Sequence, residues 1–267
     1  MPNDTSQAKR GLAQLADTLY EARRTRNAIP PISSSWTGGF GVAEAYAVQE
    51  INTQRRIADG DVIVGRKIGL TSPAVQAQLG VDEPDFGMLW KTEQVSEGTP
   101  VAMANLIQPK IEAEIAFVLK KDITVSKPSI EDISGAIDYA VAAVEIVDSA
   151  IADWKITLAD TVADNASGAK FLLGSDRRSL GEIDMHLGGM ELVQNGKQVS
   201  VGVAAACLGH PLNAVQWLAD KMVEVGRPLQ AGEVILSGAL GPMATAHAGD
   251  DFTIHVQGFA PLHLSFC

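Results

Sequence analysis

Apolar residues recur at helical spacing near the start of the chain. Leu12, Leu15, Ala16, Leu19 and Ala22 share one face of a predicted helix that ends before Ile29-Pro30-Pro31. A Ser/Gly-rich loop from Ser33 to Gly41 follows, and the Ala-rich stretch Val42 to Ala58 predicts a second helix, stopped at Gly60. From Asp61 the pattern changes to period two with β-branched content. Strands are expected near 62–70, 111–119, 140–148, 190–194, 197–201, 233–237, 252–257 and 262–266. Gln194-Asn195-Gly196-Lys197 predicts a two-residue hairpin turn, because both central residues tolerate positive φ. Between Pro211 and Gly226 a further helix is predicted, with Leu212, Val215, Leu218, Ala219 and Met222 on one face. The reading is a compact α+β fold, a mixed β-rich core over residues 61–267 with an N-terminal helical extension over 1–60.

Polar residues that interrupt this pattern are the candidates for chemistry. In Pro109-Lys110-Ile111-Glu112-Ala113-Glu114-Ile115, alternation turns Ile111, Ala113 and Ile115 one way and Glu112 and Glu114 the other. Taken alone, that pair fits the solvent-facing side of an antiparallel strand. Glu145 interrupts Tyr139 to Val147, a run hydrophobic on both faces, as expected of a buried strand. A buried carboxylate needs a cationic side chain or a metal beside it, and the spacing leaves both open. Three converging carboxylates without histidine or thiolate would make a hard, all-oxygen site suited to Mg²⁺ or Mn²⁺.

Lys67 lies in Val62-Ile63-Val64-Gly65-Arg66-Lys67-Ile68-Gly69-Leu70. Period two places it on a face with Ile63, Gly65 and Gly69, opposite Val62, Val64, Ile68 and Leu70. The glycines leave room for a close approach, so this lysine is either exposed or set to bind a carboxylate or move a proton with a lowered pKa. Two turn-rich acidic stretches, Gly80 to Gly87 and Asp160 to Gly168, are read as loops, and Leu236 to Pro242 as a loop able to present backbone amides to an anion. The last lacks the lysine and hydroxyl residue of a nucleotide phosphate loop, and no Gly-x-Ser-x-Gly elbow is present. His186, His210, His247, His255 and His263 have no paired spacing for zinc.

Composition narrows the classes further. The 267 residues carry a net charge of −11 and are 46% hydrophobic, ample for a core around an internal site. That charge disfavours nucleic acid as a partner. The N-terminus carries no basic-then-apolar leader, and no apolar run is long enough to span a bilayer, so no membrane association is expected. With only Cys207 and Cys267, sixty residues apart, a disulfide framework is excluded and a reducing cytoplasm is the expected compartment.

The motifs together resemble the 2-hydroxypenta-2,4-dienoate (2-oxopent-4-enoate) hydratases of aromatic meta-cleavage pathways, within the fumarylacetoacetate hydrolase superfamily. The likeness runs from about Ala45 to the end. It is carried by Gly65 to Thr71, Gly80 to Gly87, Pro109 to Glu114, Asp160 to Ser167, Leu208-Gly209-His210-Pro211-Leu212-Asn213 and Gly238 to Met243. The resemblance implies a mixed β-roll with a divalent metal on Glu112, Glu114 and Glu145. It further implies Lys67 as a pocket lysine, Asp85 as an acid/base and Ser167 near the substrate, and it implies a homo-oligomer, with a decarboxylase or aldolase of the same pathway as a partner. The sister 4-oxalocrotonate decarboxylases usually resemble Gly-Leu-Lys-Met-Gly where this chain has Gly65-Arg66-Lys67-Ile68-Gly69, and they lack the Ala239 to Met243 stretch, which favours the hydratase. A catalytically silent partner subunit is the alternative of another class, and retention of three candidate ligands speaks against it.

Overall fold

The computed structural model describes residues 3–36, 39–73, 76–77 and 81–267. Met1, Pro2, Gly80 and the centre of the Ser33 to Gly41 loop lie outside the described residues. The helices are α1 (Asn3–Thr25), α2 (Val42–Ala58), α3 (Ile130–Ala136), α4 (Leu158–Ala163) and α5 (Pro211–Glu224). Strands β1 (Ile63–Gly69), β2 (Asp85–Trp90), β3 (Gln94–Val95), β4 (Pro109–Leu119), β5 (Ile137–Asp148) and β6 (Gly168–Leu173) precede the hairpin β7 (Gly189–Gln194) and β8 (Lys197–Val203). They are followed by β9 (Val234–Leu236), β10 (Ala244–Thr245), β11 (Asp251–Val256) and β12 (Leu262–Ser265).

An eight-stranded mixed sheet runs β2-β1-β9-β4-β5-β6-β3, with β10 also on β4; a four-stranded sheet runs β12-β11-β7-β8. β5 is paired on both sides, which is why its run is apolar on both faces. One face of the large sheet, with Ile111, Ile115 and Phe117 of β4, shares a core with Phe252 and Ile254 of β11 and Leu218 and Met222 of α5. Helix α5 is punctuated as expected: Pro211 opens it and the His210 ring accepts from Leu212 N at 3.2 Å. Between β7 and β8, Asn195 and Gly196 both take positive φ, 51° and 76°, as the hairpin requires.

The opposite face of the large sheet is small and partly polar. Leu89, Ala116, Val141, Ala143, Phe171 and Leu236 form a separate inner cluster there. Leu89 of β2 and Phe171 of β6 share this cluster although four strands stand between theirs, so the sheet is rolled. A third cluster joins Ala16, Leu19 and Ala22 of α1 to Ala45 and Val48 of α2, and to Ile151, Val162 and Ala163. These helices lie over the segment that follows β5. Among the described residues, no helix is long and apolar enough to cross a membrane.

Three sequence expectations change, the first being that the Asp160 to Gly168 stretch, read as a loop, begins inside helix α4, which Thr157 caps. A bulge between Ile63 and Gly65 reverses the start of β1: Ile63 packs toward Ile68 and the main core, and Val64 toward the inner cluster that holds Leu89 and Leu236. Strict alternation had given the reverse. The acidic stretch Gly80 to Gly87, read as a loop, becomes strand from Asp85 onward, because pairing with β1 buries Phe86 and Met88 while Asp85 and Gly87 turn inward.

Candidate active site

The antiparallel register of β4 and β5 sets Glu112 directly opposite Glu145, with Glu114 two residues along. One carboxylate oxygen from each lies within 4.8 Å of the others. Glu114 and Glu145 are 0% and 1% exposed, and Glu112 is half-buried. Like charges facing each other across a strand pair are destabilising, and burial makes them more so. Burial, then the charge of Glu145, pushes the Glu112 carboxyl up to about 7. The same causes, with Glu112 added, hold Glu114 well above the usual carboxylate range. Glu114 Oε1 and Glu145 Oε2 are buried without a hydrogen-bond partner, and Glu145 Oε1 has only the Lys67 ammonium beside it. Orphaned, clustered, all-oxygen acceptors are the donor set of a hard divalent cation, so the residues present fit Mg²⁺ or Mn²⁺.

The solvent-facing alternative for the Glu112/Glu114 pair is thereby excluded. For Glu145 the two alternatives coexist: it belongs to the acidic cluster, and its Oε1 lies 3.2 Å from the Lys67 ammonium. Lys67 is buried and donates to the Ala166 carbonyl at 2.8 Å. Strands β1 and β5 are three steps apart, about 14 Å in a flat sheet, so only the roll lets these side chains meet. Burial pulls the ammonium's pKa down, but Glu145, Asp85, Glu112 and Glu114 outweigh it and hold the group above its ordinary value. The direction of that shift is opposite to the lowered pKa expected from the sequence, and its cause is the ring of carboxylates.

Asp85 of β2 stands opposite Gly69 of β1. A Cβ at residue 69 would fall on Asp85 Oδ1 and 3.3 Å from Lys67 Nζ, so the glycine makes room for both charges. Burial raises the Asp85 carboxyl against the pull of Lys67, and its buried Oδ1 has no hydrogen-bond partner. Ser167 is buried, with its hydroxyl 3.1 Å from Thr161 Oγ1. The next residue, Gly168, packs beside Glu145 and Lys67; a Cβ there would lie 3.3 Å from Glu145 Oε1 and 3.5 Å from Lys67 Cε. The structure thus brings Lys67, Asp85, Glu112, Glu114, Glu145 and Ser167 to one place.

Other polar candidates go elsewhere. Asp160 caps its own helix through Thr157 and binds Ser33, and Asp164 pairs with Arg23 at 2.8 Å. All of His186, His247, His255 and His263 are exposed. A cavity of about 420 Å³ holding Arg23, Arg56 and Lys170 reaches Asn165 and Gly168, but none of the three glutamates lines it.

The amide-bearing loop after β9 does meet an anion, and that anion is Glu114. Gly238 N donates to Glu114 Oε2 at 2.8 Å, while Cys207 Sγ donates to the carbonyl of the same peptide unit, Ser237 O, at 2.9 Å. Gly238 has a φ of 106°, and a Cβ there would collide with Thr71 Oγ1. The backbone amide of Gly238 falls in the stretch the sequence marked as able to present amides to an anion, whereas Cys207 carried no sequence signal for this role. For Gly238→Ala we expect a stability loss of about 2 kcal/mol or more from strain and displaced Thr71, with weakened Mn²⁺ binding. Urea unfolding and titration calorimetry check the two effects, and unchanged values in both would show that the loop adapts.

This roll, with its acidic interior, defines a known class. Residues 45–266 match the family described as fumarylacetoacetate (FAA) hydrolase, C-terminal, and the chain belongs to that family. Within it, the chain is 50% identical over 255 residues to the 2-keto-4-pentenoate hydratase of Burkholderia vietnamiensis, covering 96% of this chain and 97% of that one. It is 40% identical to the 2-hydroxyhexa-2,4-dienoate hydratase of Comamonas testosteroni, over 93% of this chain and 94% of that one. Among solved structures it resembles 4-oxalocrotonate decarboxylase from Pseudomonas putida G7, complexed with magnesium and adipate, with a TM-score of 0.92, 36% identity, and 97% and 98% of the two chains covered.

Proposed function

We propose that the chain adds water to 2-hydroxypenta-2,4-dienoate, by way of the 2-oxo-3-enoate, to give 4-hydroxy-2-oxopentanoate in aromatic meta-cleavage catabolism. The observation that carries this reading is the pairing of a complete acidic site with near-full-length 50% identity to a hydratase, against 36% to the decarboxylase. Glu112, Glu114 and Glu145 would hold the divalent metal, which when bound supplies Lewis-acid stabilisation of negative charge on the substrate's 2-oxygen.

The chain's own groups account for the rest. Lys67, beside Glu145 and itself buried, places a positive charge where an enolate develops. Asp85, whose carboxyl is raised by burial, holds and releases the proton that shifts the dienol and directs the incoming water. Ser167 orients the substrate through its hydroxyl. Copies of this chain are proposed to assemble into a homo-oligomer: Val199, Val201 and Val203 form an exposed apolar stripe on β8, an edge strand of the small sheet. Contact with a decarboxylase or aldolase of the same pathway belongs to the same proposal, as does a cytoplasmic location.

The decarboxylase is the second reading, favoured by the structural likeness alone. Incubating the Mn²⁺-loaded protein with 2-hydroxypenta-2,4-dienoate and, separately, with 2-oxohex-3-enedioate decides between them. Loss of the dienoate chromophore with formation of 4-hydroxy-2-oxopentanoate is expected. Carbon dioxide from the second compound, with no hydration of the first, would overturn the hydratase reading.

A further inference from the structure

Three consecutive residues, none of them glycine, take left-handed backbone conformations beside the site: Asn165, Ala166 and Ser167, with φ of 55°, 51° and 54°. Each such residue costs about 1 kcal/mol or more relative to ordinary backbone, and only asparagine among the three tolerates the region well. A strained turn of this kind persists only where its surroundings hold it. The hold is visible. Met88 N donates to Asn165 Oδ1 at 2.7 Å, and Asn165 Nδ2 donates to Met88 O at 3.0 Å.

Met88 lies on β2, an edge strand of the large sheet, whose only ladder partner among the described residues is β1. The Asn165 amide thus occupies the place of a neighbouring strand, pairing one N–H and one C=O of a single residue. Gly87 allows the approach, since a Cβ there would strike the Asn165 carbonyl. Two groups of the site hang from this turn. Its middle carbonyl, Ala166 O, takes the hydrogen bond from Lys67 Nζ, and its last residue is Ser167.

We infer that Asn165 is a positioning residue: its amide, clamped to the Met88 backbone, holds the left-handed turn whose middle carbonyl orients the Lys67 ammonium. The inference rests on the role given above to Lys67. Asn165→Gly is the informative variant, because glycine keeps the tolerance for positive φ and removes only the clamp. A fall in kcat of about 10- to 100-fold is expected, the range for loss of a supporting outer contact, with Mn²⁺ affinity within about threefold, since the three glutamates sit on β4 and β5.

A double-mutant cycle with Lys67→Met supplies the readout that a general structural role would not move. With the ammonium gone, Asn165→Gly is expected to lower residual turnover much less than it does in wild type. Wild-type kcat in folded Asn165→Gly, or an equal fold-loss in both backgrounds, would overturn the inference while leaving the site reading intact. A Lys67→Met protein with wild-type kcat would instead overturn the role of Lys67. Should Asn165→Gly fail to fold, Asn165→Asp, which keeps the acceptor for Met88 N and loses the donor to Met88 O, carries the same cycle with the same two outcomes.

Discussion

Replacing Lys67 with methionine is expected to lower kcat by about a thousandfold, near 4 kcal/mol of transition-state stabilisation. The size follows from the setting. The Lys67 side chain is 3% exposed, with its ammonium 3.2 Å from Glu145 Oε1 and anchored on the Ala166 carbonyl, so solvent screens its charge little and its position is fixed before substrate arrives. Methionine keeps most of the apolar stem and removes the ammonium, and with it the charge and the hydrogen bond to Ala166 O. Metal binding is expected to behave oppositely: without a competing cation beside Glu145, Mn²⁺ affinity should hold or rise. Measuring kcat and Mn²⁺ affinity on one preparation separates the alternatives. Turnover at the wild-type rate would reduce Lys67 to a counter-ion, and parallel loss of metal and activity would make it part of the binding site.

Glu114→Gln has a comparable effect by another route. Glutamine keeps the shape and an acceptor for Gly238 N–H, but removes one of three carboxylates confined within 4.8 Å. Turnover is expected to fall about a thousandfold, and Mn²⁺ affinity by at least about 10- to 100-fold, because a charged oxygen ligand has become a neutral one. Stability of the metal-free protein should stay level or increase, since a buried like-charge repulsion has been relieved. Thermal unfolding with EDTA and with excess Mn²⁺ reads both effects. Wild type should gain stability with metal, as any ligand that binds only the native state produces, and the variant should gain far less. Equal stabilisation of the two proteins would remove Glu114 from the metal set.

Much of this site was legible before any coordinates. Glu112 and Glu114 could be placed on one face because alternation in a long strand admits little else, and Glu145 stood out as a charge in a run apolar on both sides. Their convergence was not legible, because it depends on the β4–β5 register and on the roll. Local alternation failed at β1 for an identifiable reason: Gly65 sits hard against the Val234 carbonyl, and the bulge beside it reverses the facing of Ile63 and Val64. β2 was hidden because two of its first three residues, Asp85 and Gly87, serve the site and so look like turn residues. The charge state of Lys67 turned on carboxylates supplied by three other strands. Nothing in Ala166 or Ser167 favours a left-handed backbone, so the turn they share with Asn165 is a product of tertiary contact alone.

The three-residue strand β9 has a consequence for when the protein becomes competent. Lys67 and Asp85 come from the β1–β2 pair and the glutamates from the β4–β5 pair, and β9 is the strand that joins β1 to β4. Its residues, Val234 to Leu236, are made more than a hundred positions after either pair begins. A nascent chain can form the lysine pair and the glutamate pair early, as local structures, before the strand that joins them in the sheet exists. Catalytic competence is therefore tied to one of the most sequence-distant pairings in the fold. A chain cut short before β9 carries Lys67, Asp85 and all three glutamates, and is expected to lack turnover.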